Sequence, residues 1–161
     1  MSPFLRKSAS GQLPLLALLL LILLPWPALS GAASLSGRVS DVYEGYRLLL
    51  LTDDGRRVSV TLNGLAHPDN MSRNWKRIAK RHLHMLLAGR VVTVNHTMKS
   101  QRGVILGLVR HGGADVGLRM LQDGMATIDR RSLLPPAIRD SYQQAQDEAQ
   151  RRAVGYWQSA R

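Results

Sequence analysis

The sequence predicts an α+β fold, a five-stranded β-barrel carrying about three helices, on three observations. Apolar residues alternate or run together in three stretches ahead of Gly64 and in two between Arg90 and Arg110. One stretch of helical period separates the third from the fourth of these. Two more helical stretches close the chain. Three strands, a helix and two strands is the order of an OB-fold barrel, whose strand face and loops hold oligonucleotides.

Leu35 to Tyr43 (LSGRVSDVY) opens the first strand, with apolar Leu35, Val39 and Val42. Tyr46 to Thr52 (YRLLLLT) is a continuous apolar run, the mark of a well-buried strand. Asp53-Asp54-Gly55 is a hairpin signal, and Arg57 to Asn63 (RVSVTLN) then alternates cleanly, so that Val58, Val60 and Leu62 share one face. Ser72 to Ala88 changes period: Trp75, Ile78, Ala79, His82, Leu83 and Leu86 recur at helical spacing. Ser72 is placed to cap this helix and Gly89 to stop it. Arg90 to His96 and Gly103 to Arg110 are the last two strands, with Thr97 to Arg102 expected as the polar turn between them. Asp115 to Gln122 reads as a short capped helix stopped by Gly124. Pro135-Pro136 opens a final helix through about Arg152, since proline is tolerated in a first turn. Its apolar stripe is Tyr142, Ala145, Ala149 and Ala153.

Residues 1–33 are expected to stand outside the fold, leaving 34–161 as the domain. Arg6 and Lys7 precede a leucine-rich run from Leu13 to Leu24, Pro25-Trp26-Pro27 breaks it, and small residues follow in ALSGAAS. This is the order of a secretory signal peptide. The run is short against the ~20 residues of a membrane span, so contact with a membrane is expected only if the leader stays uncleaved. The protein is therefore expected to be exported, to a periplasm or the medium, and to be monomeric. The 161 residues contain no cysteine, which excludes disulfides, thiolate metal sites and a cysteine nucleophile.

The formal charge is +11, and Arg6 and Lys7 carry two of those charges, leaving +9 beyond Ala33. So basic a domain is expected to meet a polyanion. Arg73, Lys76, Arg77, Lys80 and Arg81 fall on the polar face of the first helix and are the candidate phosphate contacts. Arg110-His111, Arg130-Arg131 and Arg151-Arg152 scatter further charge. Tyr43, Tyr46 and Trp75 are candidates for stacking on bases, with core packing the expected role of Trp75, Tyr156 and Trp157. His82 and His84 lie two apart on a helix and point to different sides, a poor chelate.

Six stretches in order, VYEGYRL, VTLNGLAHPD, AGRVVTV, RGVILGLV, GGADVGLRMLQDGMA and YQQAQDEAQRRAVGYW, resemble the staphylococcal-nuclease-like (thermonuclease) family. The resemblance covers Leu35 to Trp157 and implies an OB-fold barrel with added helices. It also implies calcium-dependent phosphodiester hydrolysis of DNA and RNA by an acidic metal site, a carboxylate near the attacking water and two arginines on the phosphate. The positions that should carry this chemistry fall on Tyr46, Thr61, Ala66, Asp69 and Val104. Only Asp69 keeps an acid. Tyr46 and Ala66 lack the carboxylates a hard cation prefers, and Thr61 and Val104 lack the bidentate guanidinium grip on phosphate. A slip in the matching brings in Arg47 or Arg102 for a missing arginine.

The expectation is thus a thermonuclease-like binding module with an eroded catalytic set, no resident metal or other cofactor, and nucleic acid or another polyanion as its non-specific partner. One alternative is a working calcium nuclease with displaced residues, using Glu44, Asp69 and Arg102. The other is a structural or protein-interaction module of the envelope.

Overall fold

The computed structural model describes residues 33–99 and 103–159. The leader up to residue 32 and Arg102 lie outside the described residues. Residues from Ala32 onward form one compact unit. Its elements are strands β1 (Ala33–Glu44), β2 (Arg47–Thr52), β3 (Arg57–Leu62) and β4 (Leu65–Ala66), helix α1 (Arg73–Leu87), strands β5 (Val91–Lys99), β6 (Ile105–His111) and β7 (Ala114–Asp115), helix α2 (Val116–Gln122), strand β8 (Thr127–Ile128) and helix α3 (Pro136–Arg151). A 3₁₀ turn, Gly155–Gln158, follows.

The five long strands are the expected ones, and they close into a barrel. Their order is β3-β2-β1-β5-β6, and a parallel pairing of β3 with β6, Val60 opposite Ile105, joins the two edges. β1 serves both halves: Gly37 to Glu44 pairs with β2, and Ala33 to Arg38 pairs with β5. Alternation decides what lies inside. Val39, Val42, Leu48, Leu50, Val60, Leu62, Val92, Val94 and Val109 are all buried. The β2–β3 hairpin is tied by the Thr52 hydroxyl, which donates to Asp54, and by an Arg56–Asp54 ion pair of 2.6 Å.

One boundary differs from expectation. Thr97 to Arg102 reads as a polar turn, yet β5 continues through Lys99, with Met98 opposite Leu106 and Lys99 opposite Ile105. Ladder pairing with β6 overrides the polar composition of the segment. The two-residue strands β4, β7 and β8 are too short to leave a periodic signal.

α1 closes one end of the barrel. The Ser72 hydroxyl accepts from the Trp75 amide at its start, and Ala79, Leu83 and Leu87 are buried beneath it. In α2, Asp115 caps by accepting from the Leu118 amide at 3.0 Å, and the same carboxylate accepts from the buried Tyr142 hydroxyl of α3 at 2.9 Å. That bond explains how a phenol sits in the core beside Ala145 and Ala149. At the C-terminus, Trp75, Tyr156 and Trp157 stack edge to face, with centroids 6.2 and 5.2 Å apart. The Tyr156 hydroxyl donates to Asn70 at 2.7 Å, so the 3₁₀ turn holds the loop that leads into α1.

Candidate nucleic-acid interface

Four segments meet at one side of the barrel: the β1–β2 turn, the loop after β4, α1, and the loop after β8. Gly45 brings the turn against the helix. A side chain there would meet Ala79 Cβ and His67 Cε1 at 2.8 Å. β4 pairs with β8, Leu65 opposite Ile128 and Ala66 opposite Thr127, and the Asp129 amide donates to Gly64 at 2.8 Å. These pairings carry the Asp129–Leu134 loop over to the far wall. Between the walls lies a cleft of about 520 Å³.

Tyr46, Ala66 and Asp69, three of the five positions read from the sequence, line this cleft together with Glu44. Thr61 and Val104 do not. Thr61 stands opposite Arg47 on β2 and Leu106 on β6, and Val104 leads into β6. Arg47, on the same face as Thr61, has a buried Nε with no protein partner. Of the helix cations, Lys76, Arg77 and Lys80 line the cleft, whereas Arg73 and Arg81 are exposed elsewhere on α1. Tyr43 stands at the rim, 45% exposed. Trp75 packs on Tyr156 instead. His82 is bonded to Asp123 at 2.8 Å, while His84 is exposed, so the two serve different surroundings.

Sequence reading missed two contributors. Arg131 looks like scattered charge, but the β4–β8 pairing brings its loop to the cleft, which it lines together with the helix cations. Only the two-residue pairing with β4 reveals this, and no local pattern announces it. His67 lies in the stretch VTLNGLAHPD, yet its role depends on contact with Tyr46, whose ring centroid is 4.9 Å away.

The electrostatics of the floor and walls differ. Among the described residues, the lining holds two carboxylates, Glu44 and Asp69, against four cations, Lys76, Arg77, Lys80 and Arg131. No described group of three or more His, Asp or Glu is placed to hold a metal ion. Glu44 Oε2 and His67 Nδ1 are buried without a protein partner. Burial raises the Tyr46 phenol above its usual range, and the hydrogen bond and charge of Glu44 add to this.

Burial lowers the His67 imidazole below its usual 6.5; the Glu44 charge opposes this and Lys76 adds to it. The folded state therefore binds fewer protons at His67 than the unfolded chain does. The corresponding stability is present above the unfolded value and is lost as pH falls below it. In an NMR titration the His67 ring should show a midpoint below 6.5, and the His67→Gln variant should lose stability less steeply on acidification. A midpoint at or above the unfolded value would contradict the burial argument.

Residues 57–159 match the family model described as staphylococcal nuclease homologue. The matched span is more than half of the chain and begins at β3, so Glu44 and Tyr46 join the cleft through the strand pairing of β2 with β3 rather than through the match. No curated protein matches the chain.

Proposed function

The chain belongs to the staphylococcal nuclease homologue family, a nuclease-type family of nucleic-acid-binding domains, and from this premise we propose that its cleft grips nucleic acid or a similar polyanion without sequence preference and without metal-dependent hydrolysis. One observation carries the reading: Lys76, Arg77, Lys80 and Arg131 line one cleft with only Glu44 and Asp69 among its acids, Arg131 being paired outside that lining with Asp129 at 3.4 Å. Lysine and arginine that neutralise phosphates release counterions, which gives affinity without base readout.

The donors present do not fit calcium. That ion takes six to eight oxygens, mostly from carboxylates and carbonyls. Tyr46 and Ala66 occupy positions where the resemblance calls for acids, and the nearby ammonium and guanidinium groups oppose a further cation. With these side chains no hydrolytic step runs through a metal.

Helix α1 supports the same reading from its own energetics. Its first turn carries no acid, and Arg73–Arg77, Lys76–Lys80 and Arg77–Arg81 are like-charged pairs four residues apart. Cations at a helix start oppose the macrodipole, and each such pair costs roughly 0.2–0.5 kcal/mol. A polyanionic partner offsets what the isolated fold loses. We assign the leader, expected over residues 1–33, to export on its charged start, leucine-rich run and small residues; Ala33 itself already begins β1.

The test pairs two measurements on the purified chain. Binding of a single-stranded oligonucleotide should weaken steeply with salt, and no cleavage should appear with or without calcium. A flat salt series would point instead to a structural or protein-interaction role. Calcium-dependent cleavage would favour the second reading, a nuclease with displaced residues, which draws on Glu44 and Asp69 sharing the cleft.

A further inference from the structure

Of Tyr43, Tyr46 and Trp75, only Tyr43 has no partner ring among the described residues. Trp75 packs on Tyr156, and Tyr46 packs edge to face on His67 with its phenol hydrogen-bonded to Glu44. Tyr43 takes part in none of the ring contacts and is 45% exposed. Its position is set by a bulge. Val42 stands opposite Leu48 and Glu44 opposite Arg47, so β1 has one residue more than β2 at this point, and Tyr43 is that residue. Neighbours on a regular strand point to opposite faces. Here Tyr43 and Glu44 both line the cleft, as a bulge that re-aims a side chain allows.

An exposed ring by itself is ordinary. What sets this one apart is its company: Lys76, Arg77, Lys80 and Arg131 line the same cleft. A strand held there by its phosphates carries its bases past the rim. The cleft, about 520 Å³, is of the size that takes a small molecule, so a nucleotide enters it and a duplex does not. We propose that Tyr43 stacks on an unpaired base of a strand whose phosphates the cleft cations hold, so that the site takes single-stranded nucleic acid rather than duplex or a polyanion without rings. In a duplex both faces of each base are covered by its neighbours, and the tyrosine has nothing to stack on. Every base has such a face, so stacking adds affinity without sequence preference. The inference rests on the polyanion-binding reading above and names its substrate class.

Stacking on one base should add about five- to a hundredfold in affinity. It is measured by fluorescence anisotropy on the full chain with three labelled probes of equal length: oligothymidylate, an all-abasic deoxyribose-phosphate oligomer, and a duplex. The abasic oligomer has the charge of oligothymidylate and no rings, so oligothymidylate should bind tighter by that factor. In Tyr43→Ala the ratio should fall to about one, and in Tyr43→Phe it should persist because the ring stays. The loss in Tyr43→Ala should be the same factor across a salt series, since the missing side chain carries no charge. The duplex should not respond to the loss of the ring. Equal binding of oligothymidylate and the abasic oligomer by the wild type overturns this inference and leaves the polyanion reading standing. So does a ratio that survives in Tyr43→Ala or is lost in Tyr43→Phe, and so does a changed salt slope, which would mean displaced phosphate contacts. A duplex weakened by Tyr43→Ala as much as oligothymidylate overturns it too. Failure of every probe to bind overturns the polyanion reading itself.

Discussion

Replacing Lys76, Arg77 and Lys80 together by alanine should weaken binding of a single-stranded oligonucleotide about a hundredfold near ~0.1 M salt. The size follows from counterion release. Each phosphate neutralised on a single strand contributes about 0.7 to the slope of log affinity against log salt. Leaving three phosphates without a cation should thus lower that slope by about 2. The three side chains line one wall of the cleft and make no ion pair with any acid among the described residues. Their removal therefore leaves no carboxylate orphaned. The stability change should carry the opposite sign. Three like-charged pairs disappear from α1 and alanine is the best helix former, so the variant should gain about 1 kcal/mol. A urea titration beside the binding assay separates damage to the interface from damage to the fold. Binding that survives at its original salt slope would remove this wall from the interface.

Gly155→Ala should cost a large share of the fold's stability, about 2–5 kcal/mol. Gly155 adopts φ +60°, and a Cβ there would meet the Asp123 carbonyl oxygen and, at 2.6 Å, that of Gly124. Both obstacles are backbone, and they cannot swing aside as a side-chain end can. Gly124 is the facing partner, with φ +64° and the Val154 backbone against it. The two glycines let the chain after α3 pass directly under the end of α2, and the Tyr156 amide donates to Gly124 there at 3.0 Å. Gly55→Ala is the control. It has φ +79° and nothing within 4 Å, so it should lose only the conformational part, about 1–2 kcal/mol. Equal losses in the two variants would mean that the close approach contributes nothing.

Most of the fold can be read from the sequence because it is written in local periods. The alternation of Val58, Val60 and Leu62 and the helical spacing of Ala79, Leu83 and Leu86 each reach the same assignment in the structure. The buried stripe of α3, Tyr142, Ala145 and Ala149, does so as well. What escapes is non-local. β5 runs on through Lys99 because β6 pairs with it, although the residues look like a turn. The site divides in the same way. Glu44, Tyr46, Ala66 and Asp69 lie in or at the edge of two loops whose motifs are visible, and they meet in one cleft. Arg131 belongs to the same cleft through a two-residue strand, and Thr61 falls outside it because β3 carries its side chain to the face shared with Arg47. Neither fact has a periodic signature.

The parallel β3–β6 contact sets a schedule for the growing chain. Thr61 must await Leu106, with α1 and β5 made in between. Until then the leading meander has a free edge on β3, the kind of edge that recruits foreign strands. Joining residues so distant in sequence is entropically slow, so the cylinder should seal late and in one step rather than grow strand by strand. A half-synthesised copy would be a sticky ribbon, and only the segment beginning near Ile105 converts it into a closed vessel with a floor, two walls and somewhere for a strand to lie.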